Sequence, residues 1–313
     1  MTFFQIIAIL LQVLFIPIFS PLVIGMIRKM KARLQNREGA SVFQPYFDIL
    51  KLFRKDEIIS EDASWIFRAT PFLVFGVTVL VGTGIPILSL MTTYTPLGDF
   101  LTIVYVLLIA TFFMALAGMD TGSGFGGFGS SREMMVSALA EGGLLFSLLT
   151  PSLVSGTTNV TDMVMVLSHI PLAQLLPVFI AFVAFFIALL AENSRFPVDN
   201  PSTHLELTMI HEAMILEYSG KRLALMEWAS ANKLLIFIAL GGSLFFPWGI
   251  GNDFQFWTWC VALFAFVVKT GLFVLAIALL ESLIAKFRIF RVPDLLFTSL
   301  VLGIIALGSI ITI

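Results

Sequence analysis

The chain has 313 residues, of which 58% are hydrophobic and only 12% are charged. Water-soluble domains carry about twice that share of charge, so the composition excludes a soluble globular protein and indicates an integral membrane protein. A single cysteine excludes an intrachain disulfide and a four-cysteine metal or iron-sulfur site, and we expect no metal site in this chain. The formal net charge of -2 identifies no partner, because only the placement of charge along the chain is informative here.

Apolar runs of nearly bilayer-spanning length predict eight transmembrane helices. They cover residues 3 to 27, 66 to 91, 99 to 119, 133 to 154, 171 to 192, 231 to 250, 254 to 280 and 293 to 313. We therefore expect an all-α, polytopic bundle that forms one membrane domain over residues 1 to 313. Basic residues follow the first run, which favours a retained helix over a cleaved signal sequence.

The basic residues predict the orientation of the bundle. Seventeen of the 18 Lys and Arg residues lie in or beside four connections, and the other three connections contain none. Because basic short loops stay in the cytoplasm, both termini are expected outside. The predicted cytoplasmic loops are 28 to 65, 120 to 132, 193 to 230 and 281 to 292.

A short amphipathic helix is predicted within the first cytoplasmic loop. Residues 42 to 53 carry apolar side chains at helical spacing, and Pro45 suits a first helical turn. Such a helix can lie in the membrane interface, with Lys51 reaching toward lipid headgroups, or form a docking surface for a soluble partner. The pattern leaves both readings open.

The loop at 192 to 229 concentrates acidic residues beside apolar ones. It contains Glu192, Asp199, Glu206, Glu212, Glu217 and Glu227, together with His204 and His211. A carboxylate in apolar surroundings has a raised pKa and can exchange protons near neutral pH, so we predict a functional role for part of this cluster rather than a merely solvated loop. The histidines and acids do not complete a recognisable metal-ligand spacing.

Two ionisable residues fall inside predicted spans. Glu141 lies in the fourth span and Lys269 in the seventh, and a charge at the centre of a membrane helix costs about 2.5 to 3.5 kcal/mol. Such groups face the bundle interior, either as buried ion pairs or as members of a proton or ion relay. We favour the relay.

The segment from Gly124 to Gly129 formally fits the dinucleotide-binding pattern G-x-G-x-x-G. The fit is spurious, because a membrane span rather than a strand precedes it. We expect these glycines to permit close backbone turns in the loop at 120 to 132. No catalytic residue ordering and no basic aromatic groove for nucleic acid is evident, and no inverted repeat of the kind found in many carriers.

Several loop motifs resemble the H-type membrane subunit of respiratory complex I and its relatives. They are residues 33 to 39 (Arg-Leu-Gln-Asn-Arg-Glu-Gly), Gln44, 48 to 52 (Asp-Ile-Leu-Lys-Leu), 191 to 199 (Ala-Glu-Asn-Ser-Arg-Phe-Pro-Val-Asp) and 217 to 219 (Glu-Tyr-Ser). Residues 118 to 123 (Gly-Met-Asp-Thr-Gly-Ser) and 131 to 133 (Ser-Arg-Glu) are more similar to the coupling subunits of energy-converting nickel-iron hydrogenases, the formate hydrogenlyase subunit 4 type. Ser202 and His204 stand where complex I carries glutamates, so this segment has fewer acidic residues than the corresponding segment of complex I.

The resemblance implies a noncatalytic coupling subunit that docks a soluble redox arm and links its electron transfer to proton or sodium translocation. Together with the reasoning above, it predicts a proton or ion pathway through Glu141, Glu192, Asp199, Glu206, Glu212 and Lys269. It predicts docking and loop roles for Arg37, Gln44, Asp48, Lys51, Arg132, Arg195 and Glu217.

The resemblance also implies that this chain holds no cofactor and that its partners carry a nickel-iron centre and iron-sulfur clusters. The expected partners are hydrogenase-like large and small subunits, antiporter-like membrane subunits and the lipid bilayer, in a prokaryotic cytoplasmic membrane, with no nucleic acid. Two alternatives stay open: a quinone-linked subunit of the complex I type, and a self-sufficient ion-coupled transporter.

Overall fold

The computed structural model describes residues 3–87, 97–169, 175–199, 209–251 and 256–311, and within these ranges the fold is all-α with no strand. The helices are α1 (Phe3–Leu34), α2 (Gln44–Phe53), α3 (Trp65–Thr83), α4 (Phe100–Asp120), α5 (Gly124–Ser155), α6 (Val160–Leu167), α7 (Leu175–Glu192), α8 (His211–Ile215), α9 (Gly220–Leu244), α10 (Phe256–Leu283) and α11 (Val292–Ile311). A 3₁₀ turn, Ile289–Arg291, leads into α11.

The predicted polytopic membrane bundle is confirmed. Among the described residues, seven helices are long and apolar enough to cross a bilayer, namely α1, α3, α4, α5, α9, α10 and α11. The remaining predicted span, 171 to 192, corresponds to α7, whose apolar segment Leu176–Glu192 is shorter. The chain is therefore a multi-pass membrane protein. Three short helices remain, α2, α6 and α8, and they lie in connections.

The glycines at 124 to 129 do not form the predicted turns, because α5 already begins at Gly124. Glycine disfavours helix intrinsically, but packing overrides this preference here. A side chain on Gly126 would overlap with the carbonyl oxygen of Gly118 on α4, and one on Gly129 would meet Ala213 of α8 at 2.8 Å. The glycines thus allow α4, α5 and α8 to approach closely.

Two other helices also extend further into the connections than the hydropathy pattern predicts. α1 continues to Leu34, and α9 begins at Gly220 rather than at residue 231. Both extensions carry charged residues, which lower the local hydropathy without breaking a helix. Because α9 begins so early, Lys233 lies well inside the helix and not at its edge.

α2 is the predicted short amphipathic helix and packs against α1 and α9. Pro45 is buried, the Tyr46 hydroxyl donates to the carbonyl oxygen of Ile18 on α1, and Phe53 meets Trp228 of α9 edge-on at 6.3 Å. The opposite face exposes Phe43, Phe47 and Leu50. This exposed apolar face favours an interfacial position of α2 in the lipid headgroup region.

The bundle has two groups of helices around the central helix α9. Its residues 234–244 are all buried. α1, α3 and α10 pack on one side of the bundle, whereas α5, α7 and α11 form a second group. A buried hydrogen-bond chain fastens the first group, because Asn232 of α9 accepts from Ser20 of α1 at 2.6 Å and donates to Thr78 of α3 at 3.1 Å.

The orientation of the bundle is testable by cysteine labelling. Thr158 and Glu61 are exposed on opposite connections, and the positive charge predicts Thr158 outside and Glu61 in the cytoplasm. In a Cys260→Ser background, which removes the one exposed native thiol, we expect an impermeant maleimide to label Thr158→Cys in intact cells. Glu61→Cys is expected to react only after permeabilisation, and the reverse pattern contradicts the predicted orientation.

Candidate functional site

Glu281 joins three parts of the chain through two buried ion pairs. Its side chain lies near the end of α10 and is 6% exposed. Oε2 accepts a hydrogen bond from Nζ of Lys31 on α1 at 3.1 Å, and Oε1 lies 3.3 Å from Nη1 of Arg195. Arg195 is itself buried, so its guanidinium faces Glu281 rather than solvent and fixes the segment after α7.

Asp199 forms a second buried junction. Its Oδ1 lies 2.9 Å from Nζ of Lys286, and its Oδ2 accepts from the backbone N–H groups of Ile210 and His211 at 3.2 and 3.3 Å. The carboxylate therefore holds the start of α8 against the segment that follows α10. Glu206, predicted for the same proton or ion pathway as Asp199, lies outside the described residues, as do Ser202 and His204.

Glu192, the last residue of α7, pairs with Lys233 of α9 inside the bundle. The Lys233 ammonium is 2.9 Å from Oε2 of Glu192 and 3.3 Å from Oγ1 of Thr111. Glu133 of α5 is 4% exposed and lines the same small cavity of about 30 Å³. The Lys233 cation of α9 thus faces two buried carboxylates, Glu192 of α7 and Glu133 of α5.

A larger cavity of about 490 Å³ opens beside these ion pairs. α1, α2, α8 and the segment after α7 surround it. Its charged lining residues are Arg28, Lys31, Arg37, Glu38, Asp48, Arg195, Asp199, Glu212, Glu227 and Glu281. Asn193, Ser194, His211 and Ser230 line both this cavity and the small one, so the two adjoin. Polar groups therefore continue from the loops to Lys233.

His211 and Glu212 lie between the loops and the buried pairs with shifted pKa values. Burial lowers the pKa of His211 to about 4, because the attraction of Asp199 is weaker than the cost of burying an imidazolium beside Lys233 and Arg195. Burial raises the pKa of Glu212 to about 7, to which repulsion from Glu227 and Asp199 adds, while Arg28 opposes the rise. Glu212 is therefore the group suited to exchange protons near neutral pH.

The raised pKa of Glu212 predicts a titration near neutrality. Below pH 7 the carboxyl holds its proton, and it loses the proton as the pH rises through the folded-state value of about 7. We expect a carboxylic-acid infrared band that disappears between about pH 6 and 8. We also expect thermal stability to fall as the pH rises from about 4.5, the ordinary pKa of the carboxyl, to about 7, and to level off above that, because over this range the folded chain keeps a proton that the unfolded chain has lost.

Glu212→Gln is expected to abolish this titrating band and to flatten the pH dependence of stability. The exposed neighbour Glu217 provides the control, and Glu217→Gln should leave both unchanged. A titrating band that persists in the Glu212→Gln chain would contradict the assignment.

The Glu-Tyr-Ser motif fastens the connection between α8 and α9 to α3 and to the connection that precedes α3. The Tyr218 ring stacks on Phe67 at 4.0 Å and its hydroxyl donates to the Phe67 carbonyl oxygen at 3.0 Å. Ser219 Oγ accepts from the N–H of Ile58 and donates to its carbonyl oxygen, both at 2.9 Å. Burial raises the pKa of Tyr218, so the phenol stays protonated and keeps donating. These contacts hold the two segments together.

The other residues predicted for docking divide into exposed and internal positions. Arg37, Lys51 and Glu217 are exposed. Gln44 donates to Asp48 at 2.9 Å within α2, and Arg132 donates to the carbonyl oxygen of Met209 at 3.2 Å. The three exposed residues can meet a soluble partner directly, and so can Asp48, whose side chain is 48% exposed.

Glu141 and Lys269 lie apart from the cluster around Lys233. Glu141 is half-buried on α5, eight residues beyond Glu133 and therefore about 12 Å further along the helix. Lys269 of α10 packs against Gly242, about 14 Å along α9 from Lys233. Glu141 thus lies further along the helix that carries Glu133, whereas residues 234 to 242 of α9, between Lys233 and the level of Lys269, are all apolar or glycine.

Sequence reasoning missed Glu133, Lys233, Glu281, Lys31 and Lys286 as members of the site. Within the described residues there is no group of three or more His, Cys, Asp and Glu side chains that could hold a metal ion. Cys260 is exposed on α10. The site is therefore built from ion pairs and single carboxylates.

Comparisons with known proteins identify the family. The model of the family described as NADH dehydrogenase matches residues 5–313, so the chain belongs to this family. It is 33% identical to formate hydrogenlyase subunit 4 of Escherichia coli (strain K12) over 302 residues, which covers 96% of this chain and 97% of that protein. It is 30% identical to hydrogenase-4 component C of the same organism over 282 residues, 89% of this chain and 87% of that one.

A solved structure has the same fold. It is that of the membrane-bound sulfane sulfur reductase, described as an archaeal respiratory membrane complex, with a TM-score of 0.85 and 21% identity over 97% of this chain and 98% of that one. The resemblance of the loop motifs to complex I and hydrogenase membrane subunits is confirmed by these comparisons.

Proposed function

We propose that this chain is the membrane coupling subunit of an energy-converting hydrogenase-type complex in a prokaryotic cytoplasmic membrane. It docks the soluble redox arm and links that arm's electron transfer to ion translocation. The observation that carries the proposal is the continuous set of charged groups from the large cavity to Lys233. The similarity to formate hydrogenlyase subunit 4 over nearly the whole chain supports the hydrogenase type.

The proposed route for protons enters through the large cavity at Glu212 and passes the buried pairs. From there it reaches Glu192, Lys233 and Glu133, and then Glu141 about two turns further along α5. Ion pairs whose members can exchange partners provide both proton sites and a means of electrostatic signalling. Asp199 holds the backbone that positions His211 at the junction of the two cavities.

The loops that would meet the soluble arm are mechanically tied to this route. Glu217 is exposed. Of the next two residues, Tyr218 binds Phe67 at the start of α3 and Ser219 binds Ile58 in the first loop. α8, with Glu212, ends only two residues before Glu217. A displacement imposed by hydrogenase-like large and small subunits, which would carry the nickel-iron centre and the iron-sulfur clusters, would therefore reach Glu212.

The position of Glu141 supports a contact between α5 and another membrane subunit. Met134 and Ala138 are exposed, and Glu141 continues the same helical stripe, half-buried in an apolar span. A carboxylate facing lipid is costly, so the stripe needs a protein surface with polar groups to cover it. An antiporter-like membrane subunit that receives the proton or the signal fits this requirement.

The lining of the large cavity favours this proposal over a quinone-linked subunit. Ten charged residues line the cavity, and they would have to be desolvated against an apolar quinone ring. The same residues suit a hydrated access path for ions.

Reconstitution of the complex tests the proposed function. We expect vesicles with the whole complex to pump ions during hydrogenase turnover, and a complex assembled without this chain to lose pumping and membrane attachment of the soluble arm. The soluble arm should still react with an artificial electron donor. Ion flux through the purified chain alone in liposomes would instead support a self-sufficient transporter.

A further inference from the structure

Lys269 differs from the other buried cations of the bundle. Lys31, Arg195, Lys233 and Lys286 each bind a carboxylate at 3.3 Å or less. Lys269 is 6% exposed, yet no acidic group of the described residues lies within 4.0 Å of its ammonium. Its charge is faced instead by the ring of Trp248, whose centroid is 4.8 Å from Nζ. A cation–π contact offsets only part of the cost of burying an ammonium.

The ammonium borders one apolar cavity, and a second apolar cavity adjoins the first; both lie toward the opposite membrane surface from the ion pairs. The first, of about 200 Å³, is lined by Lys269, Trp248, Phe182 and five other aliphatic or aromatic residues. The second, of about 330 Å³, shares Phe182, Phe246 and Trp248 with it. Trp248 follows the end of α9, so the pair of cavities opens at the boundary where tryptophan side chains meet lipid headgroups.

The arrangement combines an aromatic, acyl-sized pocket with a cation that has no acidic partner among the residues that the structure describes. We propose that this is a binding site for an anionic phospholipid, whose phosphate pairs with Lys269 and whose acyl chain occupies the cavities between α7 and α10. Charge complementarity selects this occupant, because the site presents a positive charge at the pocket and no acid among its lining residues. The site is independent of the proposed proton route and gives Lys269 a role other than ion translocation.

The chain connection after α9 keeps the pocket in shape. Gly249 has a positive φ of 78°, and a side chain there would meet Cβ of Ala265 at 2.4 Å. The connection therefore folds closely against α10, one turn from Lys269, and presents Trp248 to the ammonium. Lys and Trp side chains that lie together near the membrane interface are typical of contacts with lipid headgroups.

Native mass spectrometry of the complex, released from nanodiscs that contain phosphatidylglycerol and phosphatidylcholine in equal amounts, tests the site. We expect one phosphatidylglycerol per chain to be retained in preference to phosphatidylcholine. Lys269→Met should weaken retention by about fivefold, as expected for removing one lipid-facing cation. Lys269→Arg should preserve it, and Lys221→Met, which removes an exposed lysine near the start of α9, should leave it unchanged.

A second variant covers the case in which Lys269→Met fails to fold. Ala276→Phe keeps the lysine but fills the first cavity, which Ala276 lines, and should reduce retention similarly. Wild-type retention in a folded Lys269→Met or Ala276→Phe complex, or equal retention of both lipids by the wild type, overturns the proposal. Binding of added oleate without binding of phosphatidylglycerol overturns the assignment to a phospholipid.

Discussion

Lys233→Met is expected to be among the most disruptive single substitutions in the bundle. The methionine removes the cation that pairs with Glu192 at 2.9 Å and leaves Glu133 and Glu192 buried in one small cavity. Removing one partner of a buried ion pair costs about 3 to 5 kcal/mol, because the remaining charge stays desolvated but loses the attraction of its partner. We therefore expect little assembled complex and a lower denaturation temperature in detergent.

The double variant separates this structural effect from a role in coupling. Adding Glu192→Gln to Lys233→Met removes the stranded charge and is expected to restore most of the assembled complex. Ion pumping should stay impaired in the double variant, because neither titratable partner remains. Lys221→Met, an exposed lysine on the same helix, is the control and should behave as wild type. A double variant that assembles and pumps normally would contradict the role of the pair in coupling.

The helices and their order could be predicted from the sequence, because hydropathy and basic residues act locally. All eight apolar runs correspond to helices. The amphipathic pattern at 42 to 53 likewise predicted α2, since its apolar spacing is complete within ten residues. These features need no knowledge of distant contacts.

The pairing of the charges could not be predicted, because it joins residues far apart in the chain. Lys31 and Glu281 are 250 positions apart, and Glu192 and Lys233 are 41 apart. Lys233 was also missed because the predicted start of its helix was wrong. The hydropathy run begins at residue 231 and places Lys233 next to a loop, whereas the helix starts at Gly220. With the correct boundary, a lysine inside an apolar helix would have been a candidate in the same way as Lys269.

The glycines at 124 to 129 show a different limit. Their low helix propensity predicts turns, but their use in the structure depends on neighbours that the sequence does not reveal. Gly118 and Ala213 approach so closely that only hydrogen fits on Gly126 and Gly129. A local preference was overridden by packing between helices.

Glu141→Gln is expected to abolish pumping while leaving the complex assembled. In contrast to Glu192, Glu141 has no ion pair within 4.0 Å among the described residues, so neutralising it strands no partner. Glutamine keeps the size and some hydrogen bonding of the side chain and removes only the titratable proton. We therefore expect wild-type denaturation temperature, a wild-type rate with an artificial donor, and pumping near the background of uncoupled vesicles.

Glu141→Leu makes the same test sensitive to the membrane partner. If an antiporter-like subunit covers Glu141 with polar groups, leucine leaves those groups without a partner and should weaken that subunit's retention during purification. If α5 faced only lipid at this point, leucine would be tolerated or stabilising, since it removes a carboxylate from an apolar surface. Glu141→Gln with intact pumping would exclude Glu141 from the route, and Glu141→Leu with full retention of every subunit would exclude the partner on this stripe.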